Sequence, residues 1–131
     1  MSGEDVLTEA ALFAIGEAQQ ARVLFVSPIT AWELAVASRK GRVDGRPNLG
    51  EDPPAVWFRE AIRATGARII AMQQRISCEA ANVVIETGHK DPGDCFLMAT
   101  ARVRRIPIVT RDAFMHSVAV DRPDFLEVVG C

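Results

Sequence analysis

The chain has 131 residues, 49% of them hydrophobic and 24% charged. That balance excludes intrinsic disorder, collagen-like repeats and low-complexity chains, and it predicts a single domain over residues 1–131 that folds without staples. Fifteen Lys and Arg against seventeen Asp and Glu give a net charge of −2, so charge alone does not announce a nucleic-acid binder. No apolar run reaches the ~20 residues that cross a bilayer, and no apolar signal core comes after the acidic start. The expectation is a cytoplasmic protein with no membrane partner. Cys78, Cys95 and Cys131 form no CxxC pair, which predicts free thiols in a reducing compartment and no structural zinc.

Residues 6–19 are Ala-rich with apolar positions at helical spacing and predict a helix. Residues 22–27 are a short apolar run and predict a buried strand. Ser27-Pro28 then starts a helix, with a capping hydroxyl and proline in the first turn, running to Gly41. Residues 43–52 hold two Gly and a Pro and predict a surface loop. Asp52-Pro53 opens a helix to about Thr65, residues 67–71 predict a second strand, and residues 75–87 a helix ended by Gly88. Asp91-Pro92 opens the next helix, to about Arg104. Residues 106–110 predict a third strand, a helical turn comes after Asp112, and residues 125–129 predict a short fourth strand. Strands that alternate with helices, each a continuous apolar run, imply a parallel sheet covered on both faces. Ligands of such sheets bind beyond the carboxyl ends of the strands.

Three acids fall in that region. Glu33 shares a helical face with Ile29 and Val36, with Trp32 beside it. Asp94 heads a stripe of Leu97, Met98 and Ala101. Asp112 lies two residues past the third predicted strand. Each acid has an ordinary reading: a charge at the edge of a stripe for Glu33, helix capping for the others. Asp91 is well explained as the cap of its helix. Several partly buried like charges repel, however, and a divalent cation removes the conflict. Hard carboxylate oxygens suit Mg²⁺ or Mn²⁺. His89 and His116 stand alone and read as surface or packed side chains. An acid-only magnesium site is the layout of metal-assisted phosphodiester hydrolysis.

The segment Val26-Ser27-Pro28-Ile29-Thr30-Ala31-Trp32-Glu33-Leu34-Ala35 resembles the "VSxIxxWEI" segment of PIN-domain proteins. Arg39-Lys40-Gly41-Arg42-Val43 resembles their "RKGRL", and His89-Lys90-Asp91-Pro92-Gly93-Asp94 their "HxDPxD", with Leu97-Met98-Ala99-Thr100-Ala101 similar to "LIATA". Ile106-Pro107-Ile108-Val109-Thr110-Arg111-Asp112 resembles "LPLVTxD". These blocks stand in the family's order and cover residues ~7 to 129. Their nearest subgroup is the VapC toxins of VapBC toxin–antitoxin pairs.

The resemblance implies a three-layer α/β/α fold and a Mg²⁺- or Mn²⁺-dependent endoribonuclease that cuts tRNA or other structured RNA. It implies a homodimer neutralised by a small antitoxin protein. It puts the catalytic and metal-binding acids at Glu33, Asp94 and Asp112, with Asp91 fixing the helix start. Thr110 matches a hydroxyl near the site, and Arg39, Lys40, Arg42 and Arg111 are candidates for phosphate contact.

Two departures stand out. The family opens with a central apolar strand ending in Asp. The start of this chain already resembles the family's segment after that strand, so the first acid has no counterpart here. Cys95 stands where the family has Arg. Three accounts of the first departure stay open: a start assigned downstream of the true one, a degraded gene, or a gap filled by another segment or a swapped second copy. The alternative function is a non-catalytic PIN-like binding module that dimerises or binds an antitoxin. A phospho-receiver needs a Lys on a late strand, and neither Lys40 nor Lys90 is on one.

Overall fold

The computed structural model describes residues 7–39 and 50–131. Among them are six helices and four short strands, an α/β chain. Lys40, Gly41, Arg42 and most of the expected 43–52 loop lie outside the described residues.

Helix α1 (Glu9–Ala21) starts where Thr8 accepts a hydrogen bond from the Ala11 N–H. The same hydroxyl donates to the Gly130 carbonyl at 2.6 Å, tying the start of α1 to the end of the chain. Strand β1 is only Phe25–Val26. Helix α2 (Pro28–Ser38) begins as predicted: the Ser27 hydroxyl accepts from the Ile29 N–H and Pro28 occupies the first turn. It stops at Ser38, ahead of the expected Gly41.

Helix α3 (Pro54–Thr65) leads into strand β2 (Arg68–Ile69). The cap of α3 is Pro53 with no side-chain bond, so Asp52 does not play the capping part expected of it. Helix α4 (Gln74–Thr87) ends at Gly88, whose φ of 71° is the left-handed conformation that glycine adopts without a Cβ clash. Helix α5 (Pro92–Arg104) keeps its predicted limits. After strand β3 (Ile108–Thr110) comes α6 (Ala113–Asp121), two full turns where a single turn was expected. Strand β4 (Val128–Gly130) lies later than the predicted 125–129. Phe125 and Leu126 are core side chains, 7% and 4% exposed, and enter no ladder.

The strands form two parallel pairs. Phe25 lies opposite Arg68 and Val26 opposite Ile69. Ile108 lies opposite Val128 and Thr110 opposite Gly130. Parallel pairing agrees with the sequence pattern, but among the described residues β1–β2 and β3–β4 are separate pairs and no single ladder runs through all four.

The core rests mainly on α4 against α5. Ile76, Ala80 and Val83 keep helical spacing along one face of α4 and are buried. Cys95, Met98 and Ala99 make the facing stripe of α5. The next position of that stripe is Arg102, a cation in an apolar row. Its Nε donates to Glu79 on α4 at 2.6 Å, its Nη1 donates to the Phe125 carbonyl at 2.6 Å, and the guanidinium lies 3.7 Å from the centre of the Phe125 ring. One side chain thus joins α4, α5 and the approach to β4. Met115 and Val118 of α6 close the core from another side.

Candidate metal centre

The helix starts that the sequence marks most clearly are also those that carry the acids. Proline in the first turn of α5 and the carboxylate of Asp91 before it fix where that helix begins. Asp91 Oδ1 accepts from the Asp94 N–H at 3.0 Å, so the two acids sit on the same turn. The helix dipole favours negative charge there. Glu33 arrives on α2, which packs against α5.

The result is a group of three carboxylates. Glu33, Asp91 and Asp94 each offer an oxygen, and the three oxygens lie within 4.8 Å of one another. Asp91 is exposed, while Glu33 and Asp94 are half-buried. Trp32 and Val36 stay 54% and 43% exposed, so the apolar stripe expected around Glu33 is only partly covered. Among the described residues, neither Glu33 nor Asp91 forms an ion pair with a Lys or Arg. Burial, then the charges of Asp94 and Asp91, push the Glu33 carboxyl above its ordinary value. The Cys95 thiol is pushed up by the same three causes, burial first. It is buried and reaches the His89 carbonyl at 3.4 Å, so it does not replace a cationic group at the site.

Gly93 shapes the approach of Glu33. A Cβ at this position would lie 2.8 Å from Glu33 Oε2, closer than real side chains tolerate. The absence of a side chain is what lets the carboxylate of α2 settle against the first turn of α5. Three hard oxygen donors, drawn together without a Lys or Arg between them, fit a Mg²⁺ or Mn²⁺ ion.

His89 completes the neighbourhood. Its Nε2 lies 2.8 Å from Asp94 Oδ2, and its ring stacks on Phe114 of α6 at 3.9 Å between centroids. It is a packed histidine, as expected, but its partner is one of the candidate ligands. Nothing in the spacing along the chain links residue 89 to residue 114, so sequence reading missed the pair. Sequence reading also gave Asp91 a capping role alone. The cap uses one of its bonds and leaves the carboxylate beside the other two acids.

Asp112 stands apart from this group. It caps α6, with Oδ1 accepting from the Met115 N–H at 2.8 Å, and its own N–H donates to the Thr110 hydroxyl at 3.1 Å. It is not one of the three acids whose oxygens lie within 4.8 Å. Thr110 therefore orients the turn that carries Asp112. The Thr110 carbonyl accepts from His116 Nε2 at 2.9 Å. Arg39, just after α2, and Arg111 are both exposed.

The PIN domain family model matches residues 1–121 of the chain. A search of curated proteins finds no match to it.

Proposed function

Because the chain belongs to the PIN domain family, a superfamily of nucleases, we propose that it is a Mg²⁺- or Mn²⁺-dependent endoribonuclease of the VapC toxin type, built as one domain. The observation that carries this reading is the convergence of Glu33, Asp91 and Asp94 to within 4.8 Å. Glu33 and Asp94 hold the ion, and Asp91 adds a third carboxylate besides capping α5. Asp112 contributes a further acid from the start of α6, with Thr110 fixing its turn. A bound ion supplies a water acidic enough to attack a phosphodiester at neutral pH and neutralises charge on the leaving oxygen.

The chain's own residues do the rest. Gly93 gives the Glu33 carboxylate room beside Asp94. His89 holds one oxygen of Asp94, which leaves the other directed by the helix turn. Arg39 and Arg111 lie where an RNA backbone would need countercharge, and guanidinium groups suit phosphate. The exposed apolar side chains Leu12 and Phe13 of α1 and Trp32 of α2 support a second copy or an antitoxin as partner. In this reading the two strand pairs belong to one parallel sheet between helical layers.

The test is cleavage of total tRNA by the purified protein with Mn²⁺, against the Asp94→Asn variant. The reading predicts cleavage that chelation abolishes and that falls at least about 100-fold in the variant. Equal cleavage by both proteins would remove Asp94 from the mechanism.

A further inference from the structure

Between the two strand pairs lies a cleft of about 490 Å³, within the size range of cavities that take organic ligands. Phe25 and Val26 of β1 and Ile108 and Val109 of β3 line it, together with Ala18 of α1 and Ala101 of α5. None of the described residues lining it is Asp, Glu, Lys or Arg. Its occupant is therefore uncharged where it touches the walls.

The backbone says more about that occupant than the side chains do. The Arg68 N–H donates to the Leu24 carbonyl at 2.9 Å and the Ile70 N–H to the Val26 carbonyl at 3.1 Å. Leu24 and Val26 thus turn their polar groups toward β2. Alternate residues of a strand address opposite edges, so the N–H and C=O of Phe25 point away from β2. In β3 the Ile108 N–H donates to the Glu127 carbonyl at 3.0 Å, and the Thr110 carbonyl accepts from the Cys131 N–H at 3.4 Å. Ile108 and Thr110 turn toward β4, and Val109 turns its N–H and C=O the other way. Phe25 and Val109 both line the cleft, and no ladder joins β1 to β3.

Two open strand edges therefore border one apolar space. A small apolar molecule would leave both edges dry and unbonded, which is costly for backbone groups. A helix has its own backbone bonds already made and offers these edges nothing. An extended strand bonds to an edge on each side and buries alternate side chains above and below.

We propose that this cleft is a strand-acceptor site, which takes an extended apolar peptide segment of about five residues bonded to the Phe25 edge of β1 and the Val109 edge of β3. The segment comes from outside the described residues. Within them, the uncharged apolar runs around residues 25, 69, 108 and 128 are the four strands themselves, and those around residues 13, 84, 98 and 118 lie in helices. A second copy could donate such a run only by dismantling its own fold. The site is independent of the nuclease reading, because neither edge carries a candidate metal ligand.

The experiment uses the full chain and a synthetic, fluorescein-labelled peptide of five Val, Ile and Leu residues behind two solubilising Lys. A control peptide has the same side chains but N-methyl groups on alternate residues. Binding is monitored by anisotropy, and amide exchange at Phe25 and Val109 by NMR. The proposal predicts saturable binding, at least about tenfold weaker for the methylated peptide, and a slowing of both amides by at least about tenfold when the first peptide is bound. Three results overturn it. One is no saturable binding. Another is equal affinity for the two peptides, which would mean a merely greasy pocket. The third is protection of both amides in the free protein that grows with its concentration, which would mean that a second copy fills the cleft.

Discussion

Glu33 is held by opposing demands. Its helix carries it toward the first turn of α5, and there it meets two further carboxylates with no Lys or Arg between them among the described residues. Its folded pKa is raised, so the folded state binds its proton more tightly than the unfolded state does. Stability from this group is fully present below the ordinary carboxylate pKa and is lost as pH rises through the raised value. Without metal, Glu33→Gln should therefore make the protein more stable at pH 7, and the difference should vanish below about pH 4. Denaturant titrations at both pH values check this. A variant less stable than the parent at pH 7 would mean that Glu33 has a cationic partner. Glu33 and Asp94 were legible in the sequence because each heads or edges an apolar stripe where a charge looks out of place. The second role of Asp91 was not, because a helix cap already accounts for an Asp there. His89 and Gly93 were not either: one depends on a ring 25 positions away, the other on a carboxylate from a different helix.

At the scale of elements, α5 is the piece that organises the molecule. Its first turn bears the acids, and its stripe packs against α4 and ends in Arg102. The Glu79 carboxyl is held below its ordinary value chiefly by the hydrogen bond from Arg102. That contribution is present at neutral pH and fades as pH falls through the lowered value. Arg102→Met keeps the apolar stem but abandons Glu79, the Phe125 carbonyl and the ring contact. It should cost about 2 kcal/mol at pH 7, measured by urea unfolding, and less in acid, where Glu79 is protonated. A variant as stable as the parent would show the network to be ornamental.

The helices were readable for physical reasons. Ser27, Asp91 and Asp112 offer side-chain caps, Pro28 and Pro92 fit first turns, and Gly88 takes a left-handed stop. The strands were located but overextended. A continuous apolar run shows that a segment is buried and does not show where its ladder begins or ends. At the end of the chain, Phe125 and Leu126 read as strand residues and proved to be core anchors, with the ladder starting only at Val128.

For the whole molecule, the parallel α/β character was legible from the alternation of apolar runs and helices, and the family match over residues 1–121 agrees with it. The division into two strand pairs was not, because pairing partners far apart in sequence leave no mark on either segment. That division places the acids on one helix pair, α2 and α5, which touch directly. The candidate centre therefore depends on packing between helices, whatever the sheet does. The most direct check is calorimetric titration of Mn²⁺ into the metal-free protein at pH 7, alongside Asp94→Asn. The Asn side chain keeps the size of Asp and can still accept a hydrogen bond from His89. The account predicts saturable binding by the parent, weakened at least about tenfold in the variant. Absence of binding, or the same affinity in both proteins, would contradict it.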